Sequence, residues 1–228
     1  MNPKLIPPQA TIKRLSIYLR FLNSLGKDIK MVSSQELAQR LALNPAQVRK
    51  DLAYFGDFGK RGVGYSVKKL KDQINKILGL HKTRNVGIVG IGRLGMALAC
   101  YPGFEKKNFK ICALFDKIPR ALGPKIGDAT EITDVNLLPK VVKDKAIEIL
   151  ILTIPVEAIK EIHDMVMTSG VKAVLNFAPF KLLSTEDVHV HNVDLSTELE
   201  FLSYRLNLND GPKDDPSEEF YGIPAQLL

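Results

Sequence analysis

Apolar positions recur every three or four residues through the first third of the chain, then change to short unbroken runs. Over residues 11–25, Ile12, Leu15, Leu19 and Leu22 share one helical face, with Lys13, Arg14 and Arg20 between them. Ser33 and Glu36 have capping-box spacing, in which each side chain takes the other residue's backbone N–H. A helix over 33–42 follows, with Leu37 and Leu41 inward. Asn44 before Pro45 predicts a third start, because an amide oxygen caps well and the first helical position needs no N–H. Val48, Leu52 and Phe55 form the buried stripe of that helix, 45–55.

Helix, tight turn and helix make a DNA-binding unit whose second helix enters the major groove. Opposite Val48 and Leu52 lie Ala46, Lys50 and Ala53, flanked by Gln47, Arg49 and Tyr54. The small residues allow close approach, and Gln47, Arg49 and Lys50 can reach bases or phosphates. The pattern does not select which of them reads a base. Ser33 and Asn44, at the two helix starts, join the predicted DNA-contact set. Residues 56–67 then place four glycines around Lys60 and Arg61, with Val63, Tyr65 and Val67 alternating as in a strand. This predicts a wing whose tip, Lys60, Arg61 and Gly62, touches a phosphate or the minor groove.

After a basic helix and hinge over 68–83, the period changes. Residues 85–89 (NVGIV) read as a buried strand running into 90–95 (GIGRLG) and an apolar helix from Met96. The hexamer fits GxGxxG, and its place between strand and helix gives the match its meaning. Gly90 makes the tight turn, Gly92 admits a pyrophosphate and Gly95 lets helix and strand pack closely. The helix start offers free N–H groups to phosphates, and Arg93 adds a cation. Ile91 and Leu94 complete the predicted loop contacts.

A second strand, 109–115, ends at Asp116, where a carboxylate bonds a ribose 2′-OH and disfavours a 2′-phosphate. Lys117 and Arg120 argue the other way, since either can accept a phosphate. Residues 147–154 form a further strand, 156–169 a helix and 172–179 another strand with its loop. Strands alternating with helices predict a doubly wound parallel sheet with ligand beyond the strands' carboxyl ends. Thr153, Ile154, Pro155 and Val156, with Asn176, Phe177, Ala178 and Pro179, are thus expected on the nicotinamide side. The expected fold class is α/β: a winged helix followed by a Rossmann-like sheet. The predicted domains are 1–83 and 84–194, then a helix over 195–207 and a disordered polar tail, 208–228.

Charge sharpens the first assignment. Residues 1–83 hold 16 Lys plus Arg against 5 Asp plus Glu, a net of +11, whereas residues 84–228 net −4. A basic head on an acidic body is the footprint of a nucleic-acid binder. The chain is 45% hydrophobic, enough for a sizeable core, yet no apolar stretch or leader-like start suggests a membrane or secretory route. A soluble, cytoplasmic protein is expected. Cys100 and Cys112 fit no metal or redox spacing and are expected to be buried and reduced. His189 and His191 share a strand face, but no third ligand accompanies them, so no metal is expected. No general acid or base is evident near a hydride acceptor and no substrate domain follows, which argues against catalysis. The alternatives are an NAD-dependent oxidoreductase with an N-terminal extension, and a module binding CoA or NADP.

Residues 47–56 (QVRKDLAYFG), 59–65 (GKRGVGY), 90–95, 101–104 (YPGF) and 175–179 (LNFAP) together resemble the Rex family of redox-sensing transcriptional repressors, over roughly residues 10–207. The resemblance implies a homodimer on inverted-repeat operator DNA. It implies release by NADH, with NAD+ competing without releasing. It also implies that the helix 195–207 crosses to the partner subunit. The positions matching the family's switch contacts are Arg20, Tyr101 and Asp194, the last also an N-cap by position.

Overall fold

The computed structural model describes residues 7–60 and 62–207, with the backbone alone for Lys60, Leu122, Gly123, Pro124 and Thr130. They divide into two compact units, one ending at His81 and one starting at Lys82. The expectations for Arg61 and for the tail, 208–228, fall outside the described residues.

The first unit contains α1 (Gln9–Ser24), β1 (Met31–Val32), α2 (Ser34–Arg40), α3 (Pro45–Ala53), β2 (Gly59–Lys60), β3 (Gly64–Ser66) and α4 (Val67–Ile77). Both sequence-read caps are made. Glu36 N–H donates to Ser33 Oγ at 3.0 Å, Ser33 N–H to Glu36 Oε2 at 2.6 Å, and Ala46 N–H to Asn44 Oδ1 at 2.8 Å. The helices pack around Leu15, Tyr18, Leu22, Leu37, Val48, Leu52, Leu70 and Ile74, all essentially buried. A small antiparallel sheet in the order β1-β3-β2 forms the wing base. At two residues, β1 is too short to leave an alternation pattern in the sequence.

Two local expectations are corrected. Val67 does not continue the wing strand; it opens α4, buried, with its N–H donating to Lys30 O. Arg14 is not among the solvated cations of α1 but is 5% exposed. Thr11, Arg14 and Tyr18 widen the inner face of α1, because Asp51 of α3 gives them a buried acceptor.

The second unit runs β4 (Arg84–Val89), α5 (Arg93–Ala99), α6 (Pro102–Glu105), β5 (Phe109–Asp116), β6 (Arg120–Ile126), β7 (Ala129–Asp134), α7 (Leu138–Asp144), β8 (Ile149–Leu152), α8 (Val156–Thr168), β9 (Ala173–Asn176), β10 (His189–Asn192) and α9 (Leu195–Asn207). The sheet order is β10-β9-β8-β4-β5-β7-β6, parallel except for β6 against β7. From β4 the chain winds outward through β5 and β7, returns to β8 beside β4, and winds out the other way. That reversal opens a crevice between the carboxyl ends of β4 and β8. Period-two alternation divides the core. Val86, Ile88 and Ile151 face the side of α5, while Val89, Leu150 and Leu152 pack with Ile159, Ile162 and Val166 of α8.

The hairpin β6–β7 and α7 carry no strong sequence signal. Gly123, Pro124 and Gly127 interrupt the alternation, and the hairpin turns at Gly127 with φ +57°. Cys112 is buried as expected, but Cys100 is exposed at the end of α5. Its helix covers the sheet through Ala99 and Gly95, leaving position 100 on the outer side.

Candidate functional site

In the first unit, the amino ends of α2 and α3 and the wing bound an open groove of about 950 Å³. It brings together Ser33, Asn44, Ala46, Arg49 and Gly62 from the predicted contact set. Ser34, Gln35, Asp57 and Phe58 also line it, and sequence periodicity gave no signal for them. Arg49 is exposed, with Nη1 donating to Ser34 Oγ at 3.1 Å. Lys50 is exposed on α3 but does not line the groove, and Tyr54 is half-buried. Gln47 is turned inward: Nε2 donates to Asp51 Oδ1 at 2.8 Å. Lys60 lies on β2, paired with Gly64, and Gly62 takes φ +82° at the tip, a conformation glycine adopts without strain. Val63 beside it is 61% exposed. The amino ends of two helices facing one groove make it suited to anionic backbone groups.

In the second unit, a cleft of about 300 Å³ lies at the crevice between β4 and β8. Gly90, Gly92, Asp116, Lys117, Ile154 and Pro155 of the predicted set line it. So does Thr153, also expected there, and Val135, Ala158 and Ile162 join them. Ala158 and Ile162 are one turn apart on α8, a spacing that signalled only packing.

The glycine loop is pinned from both sides. Thr153 Oγ1 donates to Gly90 O at 2.6 Å, and Ile91 N–H donates to Asp116 Oδ2 at 2.7 Å. Asp116 Oδ1 has only a 3.4 Å contact with Ile118 N–H. Gly90 has φ +91°, and a Cβ there would meet Ile154 Cγ2 at 2.5 Å. At Gly95 a Cβ would strike the Gly90 carbonyl oxygen, so α5 and the loop touch backbone to backbone. At Gly92 nothing lies within 4 Å, which leaves a cradle a side chain would fill. Ile91 is buried, while Arg93 and Leu94 are exposed on the first turn of α5. Lys117 Nζ is held by Glu161 of α8 at 2.6 Å, and Arg120 Nη2 reaches Ile91 O at 3.5 Å.

Residues 176–179 do not line this cleft. Asn176 is 0% exposed; its Nδ2 donates to Phe180 O at 2.7 Å and Asn192 Oδ1 at 2.9 Å, and its Oδ1 accepts from Ala178 N–H at 3.0 Å. It shapes the loop after β9. Ala178 is buried, Phe177 half-buried and Pro179 exposed.

Arg20 is exposed on α1. Tyr101 is 56% exposed, its ring edge-on to Phe104 at 5.2 Å and above Gly103, where a Cβ would collide with it. Asp194 caps α9: Oδ1 accepts from Ser196 Oγ at 2.8 Å and Ser196 N–H at 2.9 Å, and these bonds hold its carboxyl below the ordinary range. No residue of α9 is buried, and Leu195, Leu199, Phe201, Leu202, Tyr204 and Leu206 are all exposed. Among the described residues no group of His, Cys, Asp and Glu is arranged to hold a metal ion, and no helix is long and apolar enough to cross a membrane.

Residues 6–53 match a family model described as "Putative DNA-binding protein N-terminus", and residues 81–180 one described as "CoA binding domain". The chain is 47% identical over 204 residues to a redox-sensing transcriptional repressor Rex of Desulforamulus reducens, covering 89% of this chain and 97% of that protein. This chain belongs to the Rex family. A Rex of Syntrophomonas wolfei is 46% identical with the same coverage. Among solved structures, RSP, a Rex-family repressor, matches in a complex with NAD+ and operator DNA at 42% identity and TM-score 0.83, covering 90% of this chain and 95% of that one. RSP in complex with NADH matches at 40% identity and TM-score 0.78, covering 90% and 97%. The Rex assignment is consistent with both halves of the site: a groove made of helix starts and a wing, and a cleft at the sheet's reversal point.

Proposed function

We propose that this chain is a redox-sensing transcriptional repressor, a homodimer that holds inverted-repeat operator DNA with its first unit and lets go when NADH occupies the second. The observation that carries this is the combination, in one Rex-family chain, of a winged-helix groove with a dinucleotide cleft left open at Gly92. RSP has been captured both with operator DNA and NAD+ and with NADH, which supports the direction of the switch.

The cleft residues fit an NAD-type dinucleotide. Gly92 leaves the backbone open to a pyrophosphate, and Asp116 offers its second carboxylate oxygen to a ribose hydroxyl. When bound, NADH supplies a neutral nicotinamide ring and NAD+ a cationic one. Ile154 and Pro155 form an apolar wall that penalises the cation. Among the described lining residues the charged side chains are Asp116 and Lys117, which are bonded to Ile91 N–H and to Glu161. With Asp116 given to the loop and a ribose, and Lys117 to Glu161, neither is placed as an acid or base for a hydride acceptor, which favours sensing over turnover.

Arg49, Lys50, Lys60 and Arg61 would grip phosphates and base edges beside Ser33, Asn44, Ala46, Tyr54 and Gly62. The exposed apolar face of α9, capped by Asp194, would cover a partner subunit, with Arg20 and Tyr101 as switch contacts. The cytoplasm is the compartment where operator DNA and the nicotinamide pool meet.

A ligand moves an equilibrium only through its differential affinity for two states. A tenfold preference is about 1.4 kcal/mol, and moving a population from 1:99 to 99:1 takes roughly 5.5 kcal/mol. The test is a gel shift on an inverted-repeat duplex titrated with NADH, NAD+ and CoA. NADH should release the DNA, and NAD+ should blunt that release without causing it. Equal release by NADH and NAD+ would sink the redox-sensor reading.

A further inference from the structure

A buried ion pair joins α1 to α3. Asp51 is 0% exposed and lies on the side of α3 that faces α1. Its carboxylate accepts from Arg14 Nε at 2.6 Å and Nη2 at 2.9 Å, Tyr18 OH at 2.7 Å, Gln47 Nε2 at 2.8 Å and Thr11 Oγ1 at 3.1 Å. Four of these five donor atoms belong to α1, on Thr11, Arg14 and Tyr18, and one to α3.

Stability is a poor reason for such a cluster. Desolvating two charges costs much of what their attraction returns, and well-packed apolar replacements are often as stable or more so. Hydrogen bonds, unlike apolar contacts, are directional. Val48 and Leu52 pack α3 into the core through contacts that carry no directional bond. Five donors converging on one carboxylate resist rotation of α3 about its axis. The outer surface of a helix lies about 5–6 Å from its axis, so a 20° rotation moves that surface by about 2 Å. A base-edge hydrogen bond is lost over a smaller distance.

We infer that Asp51 and its donors are positioning residues for operator recognition, fixing the rotation of α3 against α1, and that Gln47 acts through Asp51 and not on a base. The inference rests on the proposed reading of α3 as the recognition helix.

The full chain is first allowed to select its own duplex from a randomised pool. Binding to that duplex, to each single base-pair variant of it and to an unrelated duplex is then measured for wild type, Arg14→Met/Asp51→Leu and Gln47→Leu. The double variant leaves Thr11, Tyr18 and Gln47 without their acceptor, so it should melt below wild type while remaining folded at the temperature of the binding assay. Its preference for the selected duplex over the unrelated one should fall at least about tenfold, with the loss spread over the whole half-site. Gln47→Leu should show a smaller loss with the same spread. A folded double variant that discriminates as wild type does overturns the positioning role. A Gln47→Leu loss confined to one base pair makes Gln47 a base reader and overturns its part. If the double variant fails to fold, Tyr18→Phe, which removes a single donor, takes its place: spread loss supports the inference and unchanged discrimination overturns it. Failure of the wild-type chain to select any duplex overturns the DNA-binding reading itself, and the inference with it.

Discussion

Gly92 and Gly95 stand three residues apart, and a methyl group would meet different surroundings at each. At Gly95 it would run into the Gly90 carbonyl oxygen and Thr153 Oγ1; at Gly92 it would meet nothing within 4 Å. Gly95→Ala should therefore lower both melting temperature and NADH affinity, because backbone must shift. Gly92→Asp should leave melting and operator binding intact while abolishing the NADH response, since its carboxylate would occupy the phosphate cradle. Thermal melts with nucleotide titration check both. Loss of operator binding by a folded Gly92→Asp chain would count against separable DNA and nucleotide functions. Lys117 belongs at this scale too. Both members of the Lys117–Glu161 pair are more than half exposed, so the pair adds little to stability. Its consequence is for selectivity: Glu161 occupies a cation that would otherwise attract a 2′-phosphate. Glu161→Gln should raise affinity for NADPH relative to NADH by about two- to fivefold, measured by fluorescence titration, with unchanged melting. An unchanged ratio would show that Asp116 alone sets the preference.

At the scale of elements, α1 and α3 are joined where their polar faces meet at Asp51. Burial pushes the Asp51 carboxyl up, but hydrogen bonds from Arg14, Tyr18 and Gln47 and the Arg14 charge more than offset it, so the folded carboxyl lies below its ordinary value. Its folded pKa is thus lower than its unfolded pKa. The stabilisation is complete above the ordinary aspartate range and is lost as pH falls through the folded value. The wild-type melting temperature should drop between about pH 5 and pH 3. Arg14→Met/Asp51→Leu should show a shallower drop, and an identical slope would move the acid sensitivity to other carboxylates. The caps of α2 and α3 were legible because each needs only residues two or three apart. β1 was not, because its two residues pair with the distant β3, and the hairpin β6–β7 was not, because Gly123, Pro124 and Gly127 break its alternation.

For the whole molecule, the proposed switch is a coupling between two ligands, and coupling of binding free energies is reciprocal. If NADH weakens operator affinity by some factor, saturating operator duplex must weaken NADH affinity by the same factor. NADH titrations with and without the duplex measure this directly, and unequal factors would show that release proceeds by aggregation or unfolding.

The sequence by itself determined the two architectures and the chemistry of each. Periodicity, capping pairs and charge marked the winged helix, and a glycine fingerprint between strand and helix, with Asp116 beyond it, marked the dinucleotide cleft. These signals survive in one dimension because they are local or follow a fixed spacing. Tertiary structure decided which side chains are available. It turned Gln47 and Arg14 toward the buried Asp51, turned Asn176 onto its own loop and tied Lys117 to Glu161. It also supplied Val135, Ala158 and Ile162 to the cleft. A polar side chain has the same pattern in sequence whether it faces DNA, a nucleotide or a buried carboxylate. The partner brought to it by folding determines which of these it meets.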